Sequence, residues 1–214
     1  DFIREKHAVE YIKGGISRFS KITVRDENSR RIIHELSGVL AEQVCDPVIL
    51  YRFCDERNQF KRPMHEKYLF VYAYDNNMND SEEVAEILQY AKENSIKVIT
   101  AGFYHKWCDR SVNVNPLELL CWISFAECVI TDTFHGTVMS MVMNTPFATK
   151  IRGNRNKLGF LLEEYNCQNR EIKDFKELGS LLNTKMSFDE VNRIMSEKQV
   201  QGCAYIQACI DSIG

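Results

Sequence analysis

The 214 residues suffice for one large domain, or for one domain and part of another. With 44% apolar and 27% charged residues, the composition is that of a soluble globular chain. A formal net charge of −3 offers no basic field to phosphate backbones, which argues against a nucleic-acid partner. No run approaches the roughly 18 apolar residues of a membrane-spanning helix, which argues against an integral membrane segment.

Residues 1 to 19, "DFIREKHAVEYIKGGISRF", are predicted to form a helix that stops at Gly14-Gly15. "KITV" follows as a short strand. "RDENSRRIIHELSG" is predicted as a helix with Asp26, Asn28 and Ser29 as capping candidates and Gly38 as its stop. "CDPVILY" is a second short apolar run. "DERNQFKRPMHEK" is charged, contains a proline and lacks periodicity, as a linker or inter-domain crossing would.

Beyond it the signals strengthen. "YLFVYAY" is rich in aromatic and β-branched residues and is predicted as a strand. "SEEVAEILQYAKENS" is an amphipathic helix with apolar residues at 84, 87, 88 and 91. "IKVITAGF" is the next strand. "NPLELLCWISFAE" is a helix with Pro116 in its first turn. "CVIT" is a strand, "FHGTVMSMVMN" a helix and "PFATKI" a strand, and "KDFKELGSLLN" and "SFDEVNRIMSEKQVQGCAYIQACIDSIG" supply closing helices. This alternation implies an α/β fold: a Rossmann-like, mostly parallel sheet with helices on both faces.

The eight cysteines form no C-x-x-C pair, and no Cys/His cluster has zinc spacing, so no metal site is expected. Buried, reduced thiols in a cytosolic protein fit that pattern. There is no signal peptide, but the chain begins at Asp1 rather than Met, and upstream residues are expected to have been removed.

The stretch "CVITDTFHGTVMSMVMNTPF" carries the clearest chemistry. In open α/β sheets, ligands bind outside the carboxyl ends of the strands. The turn after "CVIT" lies at such an end and opens a helix, whose N–H groups and positive dipole end suit an anion. Thr131, Asp132 or Thr133 can cap that helix. Gly136 allows close approach to the backbone, and His135 can donate to a phosphate or carboxylate or move a proton. The competing reading is structural, with Thr and Asp as caps, Gly as a packing residue and His as a solvated end. Arg25, in "KITVRDENS", sits at another strand end and suits bidentate binding of an anion, or a surface pair with Asp26 or Glu27. "TKIRGNRNKLGF" places Lys150, Arg152, Arg155 and Lys157 within eight residues, either at the same crevice or as a solvated loop turning at Gly153-Asn154. Tyr72, Tyr74, Phe103, Tyr104 and Trp107 lie in or just after strands, either as core or as platforms for a sugar polymer.

Taken together, "VITDTFHGTVMSMVMNTPF", "KITVRDENS", "VCDPVIL" and "NPLELLCWISFAECVIT" resemble, in order, motifs of the polysaccharide pyruvyl transferases, over about residues 20 to 165. That resemblance implies two Rossmann-like halves facing each other as in GT-B glycosyltransferases. It also implies transfer of pyruvate from phosphoenolpyruvate to a pair of sugar hydroxyls as a ketal. No cofactor is implied, since phosphoenolpyruvate is the donor substrate; the acceptor is a lipid-linked or polymeric sugar in surface or exopolysaccharide biosynthesis. By residue match, Arg25 and His135 are the donor-binding and catalytic pair. Asp132 either orients His135 or caps the helix. Thr133, Phe134, Gly136 and Thr137 surround the histidine, and Arg155 or Lys157 is the third cation. The family's glycine-rich G-N-x-G-D turn has no counterpart here. Residues 1–58 therefore read as a remnant of the N-terminal Rossmann-like domain with its crossover, and 59–214 as the C-terminal, donor-binding domain. Without a membrane anchor, a cytoplasmic enzyme peripheral to the inner membrane is expected. Two alternatives stand beside this reading. One is a GT-B glycosyltransferase using a nucleotide sugar, with Glu163 or Glu164 for the ribose. The other is a non-catalytic anion- or sugar-binding module.

Overall fold

A computed structural model describes residues 2–75, 77–153 and 155–212, with the side chain of Phe2 left out. The chain divides into two compact units, residues Asp1–Leu50 with Ser196–Gly214, and residues Tyr51–Met195.

The first unit contains α1 (Phe2–Glu5), α2 (Val9–Ile16), β1 (Thr23–Val24), α3 (Glu27–Ser37), β2 (Glu42–Gln43) and the start of α4 (Pro47–Tyr51). β1 and β2 pair in parallel. Asp26 caps α3 by accepting from the Ser29 N–H at 2.8 Å, and Gly38 ends the helix in the left-handed region at φ 73°. The single N-terminal helix expected from sequence is instead two. The break falls at residues 6–8, where His7 takes φ 53°. Gly14 and Gly15 lie inside α2, and the Ser17 hydroxyl at its end donates to the Gly14 carbonyl at 2.9 Å. "CDPVILY" forms the short helix α4, with proline at its first position, where a missing N–H costs little.

The second unit comprises α5 (Cys54–Arg57), β3 (Tyr68–Tyr72), α6 (Ser81–Glu93), β4 (Lys97–Ala101), β5 (Arg110–Val112), α7 (Pro116–Ser124), β6 (Cys128–Thr131), α8 (Phe134–Met143), β7 (Phe147–Thr149), α9 (Arg155–Glu164), α10 (Leu178–Asn183) and the first part of α11 (Asp189–Asp211). Its five strands are all parallel, in the order β5-β4-β3-β6-β7. Successive residues of β3 face opposite sides, as the two-residue period of a strand requires. Leu69 and Val71 pack with Ile87 and Tyr90 of α6 and with Leu178 and Leu182 of α10. Tyr68 and Phe70 meet Trp122 of α7, and the Tyr68 hydroxyl donates to the Trp122 carbonyl at 2.6 Å. Asn115 and Glu118 form a reciprocal capping box at the start of α7, with Pro116 following the cap.

Among the elements that escape the sequence reading are α5, within the expected linker, and β5 and α9. β5 is short, and its Arg110 and Ser111 are exposed, so no apolar run announces it. The basic stretch expected as a loop opens a helix, α9, which buries Leu158, Leu161 and Leu162 at helical spacing. Asn154, expected in the turn before it, lies outside the described residues. The cysteines are less buried than expected: Cys128 and Cys167 are buried, whereas Cys54 and Cys203 are exposed.

Candidate functional site at the carboxyl edge of the sheet

The strand order reverses between β3 and β6, since the chain runs from β3 outward to β4 and β5 and then returns to the other side of β3. Side chains just beyond those two strands therefore flank the crevice that such sheets use for ligands.

The hinge after β6 is built from hydroxyls. The Thr131 hydroxyl donates to the Tyr72 carbonyl of the neighbouring strand and accepts from the Thr133 N–H at 3.1 Å. Thr133, of the three capping candidates, is the N-cap of α8, accepting from the Gly136 N–H at 2.9 Å. Thr137 is buried, donates to the Thr133 carbonyl at 3.1 Å and lies 2.9 Å from the Thr149 hydroxyl of β7. Gly136 is required by packing: a Cβ there would sit 2.2 Å from Thr131 Oγ1 and 2.7 Å from Thr133 Oγ1. Gly136 and Thr137 thus seat α8 on the strand ends. His135 is exposed on the first turn of the helix, its ring edge-on to that of Phe134 at 5.5 Å. No acidic side chain stands in that turn, and Asp132 lies just before the cap.

Asp132 is buried at the same edge. One of its oxygens accepts from the Tyr74 N–H at 3.4 Å and the other from Arg152 Nε at 3.1 Å. Arg152 also grips Glu83 in the first turn of α6, with both terminal nitrogens at 3.2 and 2.7 Å. Burial works against the charge of Arg152, but the hydrogen bonds and field of Glu83 and then Asp132 prevail and hold its pKa above the ordinary value. Sequence reasoning placed Arg152 only within the basic run and missed Glu83, which nothing in a linear reading marks.

The remaining candidates divide. Arg155 and Lys157 are exposed at the start of α9, the helix that follows β7, and Arg155 pairs with Glu171 at 2.9 Å. Lys150 donates to the carbonyls of Ile172 and Lys173 at 3.2 and 3.1 Å. Glu163 and Glu164 sit on the last turn of α9, about 12 Å along the helix from its start. Arg25 belongs to the first unit, where its guanidinium pairs with the buried Asp46. Among the described residues, no group of three or more His, Cys, Asp or Glu side chains is placed to hold a metal ion. No helix among them is long and apolar enough to cross a membrane.

Residues 2–149 match the polysaccharide pyruvyl transferase family, a span that includes both Arg25 and His135. The chain belongs to that family. Arg155 and Lys157 lie beyond the matched span of the polysaccharide pyruvyl transferases. No curated protein matches the sequence. Among solved structures, it is similar to the Methanocaldococcus jannaschii UDP-GlcNAc 2-epimerase solved with UDP-GlcNAc and UDP. That likeness has 14% identity and a TM-score of 0.54, and covers 83% of this chain and 60% of the other. A variant of the wall teichoic acid polymerase TagF has 11% identity and a TM-score of 0.50, covering 98% of this chain and 62% of the other. The chain thus spans about three fifths of the length of each. At these identities the likeness shows the fold: a Rossmann-like α/β sheet of the GT-B type.

Proposed function

We propose that this chain carries the phosphoenolpyruvate-binding part of a transferase that installs pyruvate as a ketal on a sugar in polysaccharide biosynthesis. The observation that carries the reading is the position of His135. It is an exposed imidazole at the start of α8, at the carboxyl end of β6, where the strand order reverses. Phosphoenolpyruvate presents a carboxylate and a phosphate, which call for cations and a positive helix end. Arg155 and Lys157 stand at the start of the next helix at the same edge of the sheet and supply the cations. Arg25 enters by its place at a strand end and by family resemblance, and the reading stands on the second unit without it.

The chemistry balances with these residue types. A proton from the imidazolium of His135 adds to the methylene carbon of phosphoenolpyruvate, leaving C2 cationic. One sugar hydroxyl attacks C2 and loses its proton to the neutral imidazole. The bond from C2 to the phosphate oxygen breaks, and phosphate leaves with the electron pair. A second hydroxyl attacks C2 and closes the ketal, its proton going to phosphate. The net reaction joins phosphoenolpyruvate and a diol to give the ketal and inorganic phosphate, with no further cofactor. The acceptor is a lipid-linked or polymeric sugar, met in the cytoplasm at the inner membrane surface.

Incubation with phosphoenolpyruvate and a panel of neutral sugar acceptors tests this. Phosphate release with a new ketal methyl signal in proton NMR is the expected result. Release of a nucleoside diphosphate from a nucleotide sugar, with no use of phosphoenolpyruvate, would replace this reading with that of a glycosyltransferase.

A further inference from the structure

The loop after β4 presents aromatic rings to solvent. Gly102 turns the chain at φ 83°, and a Cβ there would lie 3.2 Å from the Tyr72 ring. The Thr100 hydroxyl donates to the Phe103 carbonyl at 3.3 Å and holds the turn. Phe103 and Tyr104 emerge 40% and 73% exposed, and Tyr74 from the loop after β3 packs against Phe103 at 5.9 Å between ring centroids. Beneath them His105 is buried within 3.4 Å of Asn79 Oδ1 and 3.5 Å of the Ala73 carbonyl, which ties the two loops together.

Beside this platform lies a cavity of about 460 Å³, lined by Asn79, Ser81, Val84, Tyr104, Lys106 and Trp107. That volume suits a small ligand. The Trp107 indole N–H is buried and has no hydrogen-bond partner among the described residues. The lining combines aromatic faces with an amide, a hydroxyl and an ammonium. A pyranose ring has the matching features, with C–H faces for the rings and hydroxyl oxygens for the donors. Among the described residues the wall holds one cation, Lys106, too few for a donor such as phosphoenolpyruvate that carries both a carboxylate and a phosphate.

We propose that this cavity is a saccharide subsite that takes one pyranose ring of the acceptor glycan. Only the word acceptor rests on the transfer reading above; binding of the ring does not. The test is an NMR titration of the full chain with methyl pyranosides of glucose, galactose and mannose, and separately with UDP, following the Trp107 indole N–H. A saturable shift with at least one pyranoside is expected. Calorimetry on Tyr104→Ala and Trp107→Phe should then show that pyranoside bound about tenfold more weakly. Phosphoenolpyruvate affinity should be unchanged in both variants. The proposal is overturned if no pyranoside moves the indole signal, if Tyr104→Ala binds as the parent does, or if only UDP moves it. Failure of phosphoenolpyruvate to bind would remove the donor reading and leave the pyranoside result standing.

Discussion

Arg152 Nε donates to the buried carboxylate of Asp132 across 3.1 Å, while the other two nitrogens of the same guanidinium hold Glu83. One side chain therefore links the hinge after β6, the segment after β7 and the first turn of α6. Through Asp132 it also reaches the Tyr74 backbone beyond β3. The partners converge from three separate segments onto the edge of the sheet that bears His135.

Removing Arg152 leaves the side chain of Asp132 fully buried without that ion pair. Arg152→Leu should lower the unfolding free energy by about 3 kcal/mol, read from urea denaturation. Arg152→Lys should fall between the two, because an ammonium keeps the charge but cannot serve both carboxylates through a planar fork. Equal stability of all three proteins would show that the network contributes nothing.

Gly136 should tolerate no side chain. A methyl group there would meet the two threonine hydroxyls at 2.2 and 2.7 Å, a clash that cannot be relieved without moving α8 off β6. Gly136→Ala should cost about 2–3 kcal/mol, and Thr131→Ala introduced with it should recover part of the loss. A thermal melt unchanged by Gly136→Ala would contradict the packing role.

Burial raises the thiol pKa of Cys128 and Cys108 to about 12 and that of Cys167 to about 11. In the unfolded chain these thiols ionise near pH 9, so above that pH the unfolded state releases protons that the folded state retains. Their contribution is fully present below pH 9 and is lost as pH rises toward 11 or 12, by about 1 kcal/mol for each thiol at pH 10. Stability measured from about pH 8 to 11 should fall, and Cys128→Ala should flatten the decline. At neutral pH, a thiol reagent should label Cys54 and Cys203 well before Cys128 and Cys167.

In the first unit, Arg25 pairs with Asp46, whose side chain is 2% exposed and also accepts from the Val48 N–H at 2.9 Å. Arg25→Ala should weaken amide protection around β1 and α4 in hydrogen exchange by about 1–2 kcal/mol. Unchanged protection there would show the pair to be an exposed contact of little consequence.

Local grammar made much of the second unit legible. "CVIT" coincides with β6, and the helix after it begins where a threonine cap precedes the His-Gly pair. Asp26 and Gly38 likewise delimit α3, because both act through their own backbone neighbours. β5 was hidden, since an exposed edge strand of three residues carries no hydrophobic period. The break at His7 was hidden because it uses a left-handed residue that is not glycine, while the glycines expected to stop the helix continue it. At the candidate site, His135 and Thr133 stand on the hinge where the motif placed them. Glu83 did not show, because its bond to Arg152 spans 69 positions and exists only once the sheet is assembled. Gly136 was visible as a glycine, but its packing against Thr131 required the structure.

The central claim is that the edge bearing His135 binds phosphoenolpyruvate, and calorimetric titration of the full chain with that ligand tests it most directly. Saturable binding is predicted, with His135→Ala weakening it about tenfold while the folded state is retained. Binding that is unaltered in His135→Ala, or absent in the parent chain, would contradict the account.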